Sequence, residues 1–380
     1  MTELLSGDLL ARIHDRAAVY DRDNVFFTED LADLVDAGYL RALVPTALGG
    51  LGLSLSEVVD EQSRLAAAAP ATALGINMHL VWTGVAKTLH DRGDHSLDFV
   101  LTDAAAGEIF AFAISEPGND LVLFGSTTDA RPLDDGGYAF TGTKIFTSLS
   151  PVWTRLGLFG LDTTSADAPK LVHAFVSRDT PGISSLDDWD TIGMRASQSN
   201  TTRLDGALAA ADRVVRRLDP GPNADPLIFA IFANFEILVA AVYAGIGARA
   251  LHLAVSSAQG RTSARTGLTK DKEPNVRWKL AEAAIQLDAL QPQLEALAGD
   301  IDDQVDRGDQ WFRALVGIKS RSTRTAKFVV EQAVAVAGGA AFANSSELGR
   351  LYRDVLAGGF HPSNEDSAHS TVATALLGPE

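Results

Sequence analysis

One acidic residue interrupts the most apolar stretch of this sequence. Glu236 is the only charged residue in the 22-residue segment LIFAIFANFEILVAAVYAGIGA, which covers residues 227–248. A carboxylate buried in apolar surroundings is costly unless it is paired or has another use. One use is a structural ion pair with an arginine of the same region, such as Arg249, Arg277 or Arg321. The other is proton transfer, for which burial prepares an acid by raising its pKa.

Hydroxyl-bearing residues stand at the ends of two predicted strands in the middle of the chain. Ser115 ends the first strand, in FAFAISEPG, and GTKIFTS ends the second strand with Phe146, Thr147 and Ser148. Hydroxyls and free backbone amides at strand ends can hydrogen-bond a polar heterocycle, and an aromatic ring beside them can stack on it. Turn capping by serine and Pro-Gly is the simpler explanation of the same residues, and the residue types alone do not exclude the other.

Two pairs of histidines lie close in sequence, His90 with His95 and His361 with His369. Acidic residues between the members of each pair could complete a metal site. We interpret both pairs as solvated histidines and expect no metal site. The sequence also lacks the phosphate-loop motif GxxxxGK[ST], the zinc-protease motif HExxH and the nucleophile motif GxSxG.

The bulk composition narrows the class of partner. The chain has 380 residues, 46% of them hydrophobic, with a formal net charge of −17 and no cysteine. A field of that sign repels nucleic acid and anionic membranes. The absence of cysteine excludes a disulfide framework and a thiolate nucleophile and fits a reducing compartment. Because the N-terminus also lacks an apolar signal segment, a cytoplasmic location is expected.

The residue patterns predict an α+β protein of several domains. Residues 1–107 show helical periodicity, with Ser54 and Glu57 spaced as a capping box. Residues 108–218 are short β-branched and aromatic runs between turns, which predict a β-barrel or sandwich. Residues 225–380 predict an antiparallel helical bundle. The apolar segment is long enough to span a membrane, but its central acid and the lack of flanking basic clusters favour the core of this bundle.

The chain resembles the acyl-CoA dehydrogenase family over nearly its full length. The matching motifs, in order, are LRALVPTALGGLG, ISEPG, GTKIFTS, IGMRAS, GIGARALHLAV, QAVAVAGGAAF and LYRDVLAG. The resemblance implies an N-terminal helical domain, a central β-barrel and a C-terminal four-helix bundle. It further implies FAD at the junction of the β domain and the bundle, and assembly into a homotetramer or homodimer.

The resemblance also implies which residues hold FAD. The residues matching the flavin-ring positions are Ile114, Ser115, Phe146, Thr147 and Ser148. Arg261 matches an arginine that reaches the FAD phosphates from a neighbouring subunit, and Gln332, Gly338 and Gly339 match positions near the adenosine diphosphate. Two departures put parts of this set in doubt. The run RTSARTG lacks the aromatic-Gly pair that usually follows the arginine, and EPGND is a shortened form of a motif that carries a further serine.

The family's usual catalytic base is missing from its usual place. Pro362 stands about where that glutamate follows the LYRD motif, with His361 beside it and Glu365 three residues on. A minority branch carries the base on the first bundle helix, and ANFEILVAA matches that segment at Glu236, although Ile237 replaces the arginine that follows. The expected function is therefore FAD-dependent α,β-desaturation of an acyl-CoA, with Glu236 removing the α-proton and hydride passing to flavin N5. An electron-transferring flavoprotein or similar acceptor would take the electrons.

Relatives with this fold also include flavin-dependent monooxygenases. These proteins lack the catalytic glutamate and use reduced flavin and oxygen, with histidines of the last loop in the active site. The resemblance therefore implies a second hypothesis, a two-component monooxygenase in which His361 or His369 takes part. A third is a flavin-binding scaffold without activity.

Overall fold

The computed structural model describes residues 3–378, in three consecutive regions. The N-terminal region contains helices α1 (Gly7–Asp23), α2 (Thr28–Asp36), α3 (Leu55–Ala68), α4 (Pro70–Asp91) and α5 (Asp98–Ala105). The central region contains strands β1 (Phe110–Ala113), β2 (Asp129–Pro132), β3 (Tyr138–Lys144), β4 (Arg155–Asp162), β5 (Lys170–Ser177), β6 (Ile183–Ser185), β7 (Thr202–Ala209) and β8 (Val214–Leu218). The C-terminal region contains helices α6 (Pro226–Gly260), α7 (Pro274–Asp288), α8 (Leu290–Asp302), α9 (Gln310–Ala337), α10 (Glu347–Val355) and α11 (Glu365–Leu377). The predicted fold class is confirmed.

Local sequence signals account for several helix starts. Ser54 and Glu57 form the predicted capping box, in which each side chain satisfies a free backbone amide at the start of α3. Proline occupies the first position of α4 and α6, where its missing N–H has no helical partner to lose. Helix α6 also has Asp225 as its N-cap, accepting from the Leu227 amide.

The strands form one mixed sheet in the order β6-β7-β3-β2-β4-β5-β8, with β1 pairing in parallel with β4. Strand β5 is buried along almost its whole length, as expected for a strand covered on both faces. The ends of β1 and β3 meet, because the Ile145 amide donates to the Ser115 carbonyl at 2.9 Å. The sheet therefore brings together the two strand ends that carry the predicted flavin-ring residues.

A buried ion pair joins the same two strand ends. Glu116 follows β1 and Lys144 ends β3, and both side chains are fully buried with Nζ 2.5 Å from Oε1. Lys144 also donates to the Phe159 carbonyl at 2.7 Å. Burial opposes ionisation of Glu116, but the charge and hydrogen bond of Lys144 outweigh it and lower the pKa of Glu116 to about 2. The glutamate of ISEPG and the lysine of GTKIFTS thus hold the loops that follow them.

Helix α6 runs through the core of the bundle. By length and composition it could cross a membrane, but 89% of its most apolar window is buried inside the protein. The helices α6, α7, α8 and α9 pack on one another as the predicted four-helix bundle, and α3 and α4 also pack on α6. Small residues on α6 allow the neighbouring helices to pack closely against it. A Cβ added to Gly245 would lie 2.2 Å from the Ser63 carbonyl oxygen on α3.

Candidate active site

A cavity of about 430 Å³ lies where the β domain meets the C-terminal helices. We call it the larger cavity, in contrast to the smaller cavity that adjoins it and is described below. Its walls come from the end of β1, the loop after β3, residues 189–194 and residues 356–362, and they are mostly apolar. This volume and composition are typical of a site for a small organic ligand.

Three of the predicted flavin-ring residues, Ser115, Phe146 and Ser148, line the larger cavity. Phe146 is 49% exposed and meets the ring of Trp189 edge-on at 6.1 Å. Thr147 lies between two lining residues, and its Oγ1 is buried with no hydrogen-bond partner in residues 3–378. The aromatic pair and the lining serines Ser115 and Ser148 form surroundings that suit a flat heterocycle with polar edges.

A chain of hydroxyls runs away from Ser148. Its Oγ lies 2.7 Å from Ser199 Oγ, which lies 2.8 Å from Ser197 Oγ. Ser197 then donates to the Met194 carbonyl at 2.8 Å. Because all three serine side chains are linked, the polar side of the larger cavity is held in place before any ligand arrives.

Left-handed backbone is concentrated at the candidate site. Phe146 (φ 58°) and Met194 (φ 53°) line the larger cavity, while Val122 (φ 51°) and Ser363 (φ 55°) line a second cavity described below. Four of the eight non-glycine residues with positive φ in residues 3–378 therefore lie at these two cavities. Such conformations cost free energy and persist where surrounding structure enforces them, which is common at functional sites.

Helix α10 fixes the loop of residues 189–194 against the larger cavity. The Met194 amide donates to Asp354 at 2.6 Å, and Arg353 donates to the Ile192 carbonyl at 3.1 Å and to Asp21 at 2.6 Å. Gly193 approaches so closely that an added Cβ would lie 2.3 Å from the Arg353 carbonyl oxygen. The LYRD and IGMRAS motifs of the sequence thus serve to hold this loop.

A second cavity, of about 230 Å³, adjoins the first, and we call it the smaller cavity. The two cavities share Phe112, Phe235 and Pro362 as walls, and the rings of Phe112 and Phe235 stack at 5.5 Å. Ile114 faces the smaller cavity, while the next residue, Ser115, faces the larger one. A ligand portion in the smaller cavity is therefore adjacent to the predicted flavin-ring residues.

Glu236 lines the smaller cavity and not the larger one. Its side chain is 1% exposed, Oε1 accepts a hydrogen bond from Ser363 Oγ, and Oε2 has no partner in residues 3–378. Burial raises the pKa of Glu236 to about 8, against the opposing effects of the Ser363 hydrogen bond and the Lys319 charge. The carboxyl group is thus poised near neutral pH with one free oxygen.

The arginines considered as partners for Glu236 are engaged elsewhere. Arg249 donates to Glu347 at 2.7 Å, Arg321 to Gln293 at 3.0 Å and Arg277 to the Asp271 carbonyl at 3.4 Å. The structural ion pair proposed from sequence is therefore wrong for these three arginines.

Lys319, which the sequence analysis missed, is the cation that acts on Glu236. It is 1% exposed and its Nζ donates to the carbonyls of Gly358, His361 and Ser363 at 3.1, 3.3 and 3.0 Å. Within the described chain it makes no salt bridge to Glu236 inside 4.0 Å. A signal existed in the sequence, since Lys319 lies four residues after Leu315 and seven before Ala326, which puts it on the same side of α9 as these apolar residues.

The two histidines of the last loop have different environments. His361 lines the larger cavity, and its Nε2 lies 2.8 Å from the Tyr243 hydroxyl. Burial, followed by the Lys319 charge, lowers the pKa of His361 to about 3, so the ring is neutral at physiological pH. His369 is exposed on α11, with Nδ1 2.5 Å from the Glu365 carbonyl oxygen. Only His361 faces the candidate site.

The other histidine pair is brought together on the turn between α4 and α5. Ligand atoms of His90, His95 and Asp98 lie within 4.8 Å of one another. His90 and His95 are both hydrogen-bonded or ion-paired to Asp98, at 2.8 and 3.0 Å, and His95 is exposed. None of the three lines either cavity.

The residues expected near the adenosine diphosphate form a separate group. Arg261 donates to the Ala337 carbonyl at the end of α9 and approaches Gly338, whereas Gln332 is half-buried on α9 and Gly339 is exposed. Gly338 lines a different cavity, of about 540 Å³. Within one chain, Gly338 therefore lines a different cavity from the predicted ring residues Ser115, Phe146 and Ser148.

The fold places the candidate site between a β domain and a helical bundle. Residues 237–365 match the family model described as "Acyl-CoA dehydrogenase, C-terminal domain". The chain is 30% identical to the amino sugar nitrososynthase of Streptomyces peucetius, over 90% of this chain and 84% of that relative. It belongs to the acyl-CoA dehydrogenase family of flavoproteins, as its motifs predicted.

Further comparisons distinguish among branches of this family. The chain is 25% identical to dibenzothiophene monooxygenase of Rhodococcus qingshengii, over 91% of this chain and 86% of that protein. A solved structure of KijD3 in complex with FMN and dTDP-3-amino-2,3,6-trideoxy-4-keto-3-methyl-D-glucose superposes with a TM-score of 0.87 at 27% identity, covering 99% of this chain and 93% of that one. The chain is an oxidoreductase by these relationships, but action on CH–CH donors gains no support from them.

Proposed function

We propose that this chain is the oxygenase component of a two-component flavin-dependent monooxygenase. The observation that carries the proposal is the composition of the larger cavity. Neutral His361 faces it and Glu236 does not, and within residues 3–378 its lining carboxylate, Asp190, is ion-paired with Arg195 at 3.0 Å. The relatives named nitrososynthase and monooxygenase support the same choice. The desaturase hypothesis would use Glu236 from the smaller cavity, and it is the less favoured of the two because these relatives are not dehydrogenases.

The larger cavity fits the ring system of a flavin. Phe146 and Trp189 offer aromatic faces, and the hydroxyl-bearing residues Ser115 and Ser148 line the same cavity. A bound reduced flavin supplies the two electrons that accompany transfer of one oxygen atom of O₂ to a substrate. We favour FMN over the expected FAD, because the run RTSARTG lacks the aromatic-Gly pair that usually follows the phosphate-binding arginine. KijD3, one of the similar proteins of known structure, was solved with FMN.

His361 is the residue we assign to the oxygen chemistry. Tyr243 engages Nε2, which leaves Nδ1 as the ring nitrogen for a ligand in the larger cavity. A neutral imidazole can donate or accept a hydrogen bond there without adding charge to an apolar site. The partner under this proposal is a reductase that delivers reduced flavin, in place of the acyl-CoA substrate and electron-transferring flavoprotein of the desaturase hypothesis. The cytoplasmic location expected from the sequence stays part of the proposal.

The test compares two reactions of the purified protein. Anaerobic mixing with oxidised flavin and a panel of acyl-CoAs should leave the flavin absorbance unchanged. Reduced FMN with ¹⁸O₂ and candidate amines or sulfur heterocycles should give a product carrying one ¹⁸O atom. Bleaching by any acyl-CoA would overturn the proposal in favour of desaturation.

Replacing His361 tests the assignment of that residue. His361→Ala should reduce oxygenated product by about a hundredfold, the usual scale for loss of a group that handles a proton, with FMN binding retained. His369→Ala is the matched control, since that ring is exposed on α11, and it should leave product formation unchanged. Equal effects of the two variants would contradict the assignment.

A further inference from the structure

The ionisable side chains that line the smaller cavity in residues 3–378 are all acidic. Its ionisable lining residues are Glu236, deep in the wall, and Asp120, which is exposed, and no lysine, arginine or histidine lines it in residues 3–378. The remaining surface is mainly aromatic and aliphatic, including Phe112, Phe232 and Phe235. A cavity that offers carboxylates and no cation complements a positively charged or hydrogen-bond-donating ligand.

The unpaired Oε2 of Glu236 makes the smaller cavity selective for a ligand that carries a hydrogen-bond donor. Oε1 is used by Ser363, whereas Oε2 is buried and unpaired. A ligand without a donor, such as a fused sulfur heterocycle, would leave that oxygen unpaired in an apolar environment, which costs free energy. A ligand with an N–H group would pair with it, and a site built around such a hydrogen bond discriminates strongly against analogues that lack the donor.

Lys319 does not compete for the free oxygen. Its three N–H groups have three backbone carbonyl partners, and Ser363 lies between its Nζ and the Glu236 carboxyl by contacting both. The lysine therefore holds the loop of residues 358–363 in place, and Glu236 keeps one oxygen for a ligand.

We propose that the smaller cavity binds the amino group of a compact apolar amine, with Glu236 as the counter-ion that selects this substrate. The inference rests on the proposed function and names its substrate class. The shared walls Phe112, Phe235 and Pro362 put that amino group next to the larger cavity.

The same carboxylate accounts for the proton that N-oxygenation requires. An ammonium group has no lone pair, so Glu236 takes one proton from it to give the neutral amine. The amine, O₂ and reduced flavin then yield the hydroxylamine, water and oxidised flavin. The N–O bond forms, the O–O bond and one N–H bond break, and the nitrogen and the flavin each lose two electrons to oxygen.

Binding affinity for the amine should increase with pH between about pH 6.5 and 8.5. An ammonium needs ionised Glu236, whose pKa burial raises to about 8. The positive charge of Lys319 favours the ionised form of Glu236, while burial lowers the pKa of Lys319 itself to about 8. His361 is already neutral, because burial lowers its pKa to about 3. Ionisation of Glu236 is therefore the change that increases the affinity for an ammonium group, and the loss of the Lys319 charge limits that increase at the upper end of the range.

The experiment measures binding of benzylamine and benzyl alcohol, a pair matched in shape, by calorimetry at several pH values. The wild-type protein should bind the amine at least tenfold more tightly, and Glu236→Gln should abolish that preference while FMN binding stays unchanged. Glu365→Gln, which alters an exposed carboxylate nearby, is the control and should keep the preference. Ser363→Ala keeps the Glu236 carboxylate but removes its hydrogen bond, which holds the pKa of Glu236 down. This variant should still prefer the amine, but the preference should begin at a higher pH.

The outcomes separate this inference from the proposed function. Equal affinity for amine and alcohol in a folded wild-type protein overturns amine selection, and oxygenation of a sulfur heterocycle in the same preparation would leave the monooxygenase proposal standing. Amine binding that depends on Glu236, without oxygen transfer from reduced FMN and O₂, would support the site and overturn the proposed function.

Discussion

At the scale of single residues, the protein keeps several ionisable groups buried and neutral. His173 is 1% exposed, stacks on Phe159 at 5.3 Å and has no hydrogen-bond partner for either ring nitrogen in the described chain. Burial, followed by the charges of Lys144 and Arg216, lowers its pKa to about 3. His79 is equally buried, with a pKa lowered to about 4. Such groups make stability depend on pH, because they gain a proton when the chain unfolds.

The sign of that dependence gives a prediction for His173→Phe. Below about pH 6.5, His173 takes up a proton in the unfolded chain but stays neutral in the folded protein. The wild-type protein therefore loses stability as the pH falls. Phenylalanine removes both the titration and the unsatisfied nitrogens. The variant should raise the free energy of unfolding by about 1 kcal/mol at pH 7.5 and by more at pH 5.5. Urea unfolding at both pH values checks this, with exposed His252→Phe as the control. If the stability gain of His173→Phe is no larger at pH 5.5 than at pH 7.5, the prediction is wrong.

At the scale of elements, the packing of α6 on its neighbours depends on missing side chains. Gly245 faces α3, where an added Cβ would lie 2.2 Å from the Ser63 carbonyl oxygen and 2.8 Å from Ala66 Cβ. Backbone cannot yield as a flexible side chain can, so the helices must separate. Because α6 also carries Glu236, its position sets where that carboxyl group lies.

Gly245→Ala should therefore destabilise the protein by about 2 kcal/mol, despite the higher helix propensity of alanine. Gly260→Ala, in the same helix, is the matched control because nothing lies within 4 Å of its added Cβ. The control should be neutral or slightly stabilising. Thermal and denaturant unfolding of both variants decide the question, and similar stabilities for the two would show that the close approach does not matter.

At the scale of the whole molecule, helix α7 leaves an apolar face uncovered in a single chain. Trp278 and Ile285 are 73% and 67% exposed and lie seven residues apart, on one side of the helix. Exposed aromatic and aliphatic residues at helical spacing are typical of protein interfaces. This face fits the homodimer or homotetramer expected from the family resemblance, which stays a prediction.

If that face joins subunits, Trp278→Glu should shift the protein to a smaller species in sedimentation velocity experiments. A buried charge at the centre of an interface opposes association strongly. Val35→Glu is the control, since Val35 is also apolar and exposed but belongs to α2. An unchanged sedimentation coefficient for Trp278→Glu would exclude this face as the main contact.

Much of the architecture could be predicted from local patterns. Helical periodicity and short strand-like runs between turns predicted the order of helices, sheet and bundle, because these signals act over a few residues. The motifs identified the family, and Ser115, Phe146 and Ser148 do line one cavity. The placement of Gly338 at a different cavity could not be predicted, because it depends on how the sheet and the bundle dock.

The sequence by itself determined that an acid would be buried in the first bundle helix, because the residues around Glu236 are apolar on every side of the helix. Only the tertiary structure decided which cavity that acid faces and which groups surround it. Ser363, Lys319 and His361 are 127, 83 and 125 positions away in the sequence and reach the site through helix packing and a returning loop. Local periodicity reports burial, but the partner of a buried group is set by contacts between segments distant in sequence.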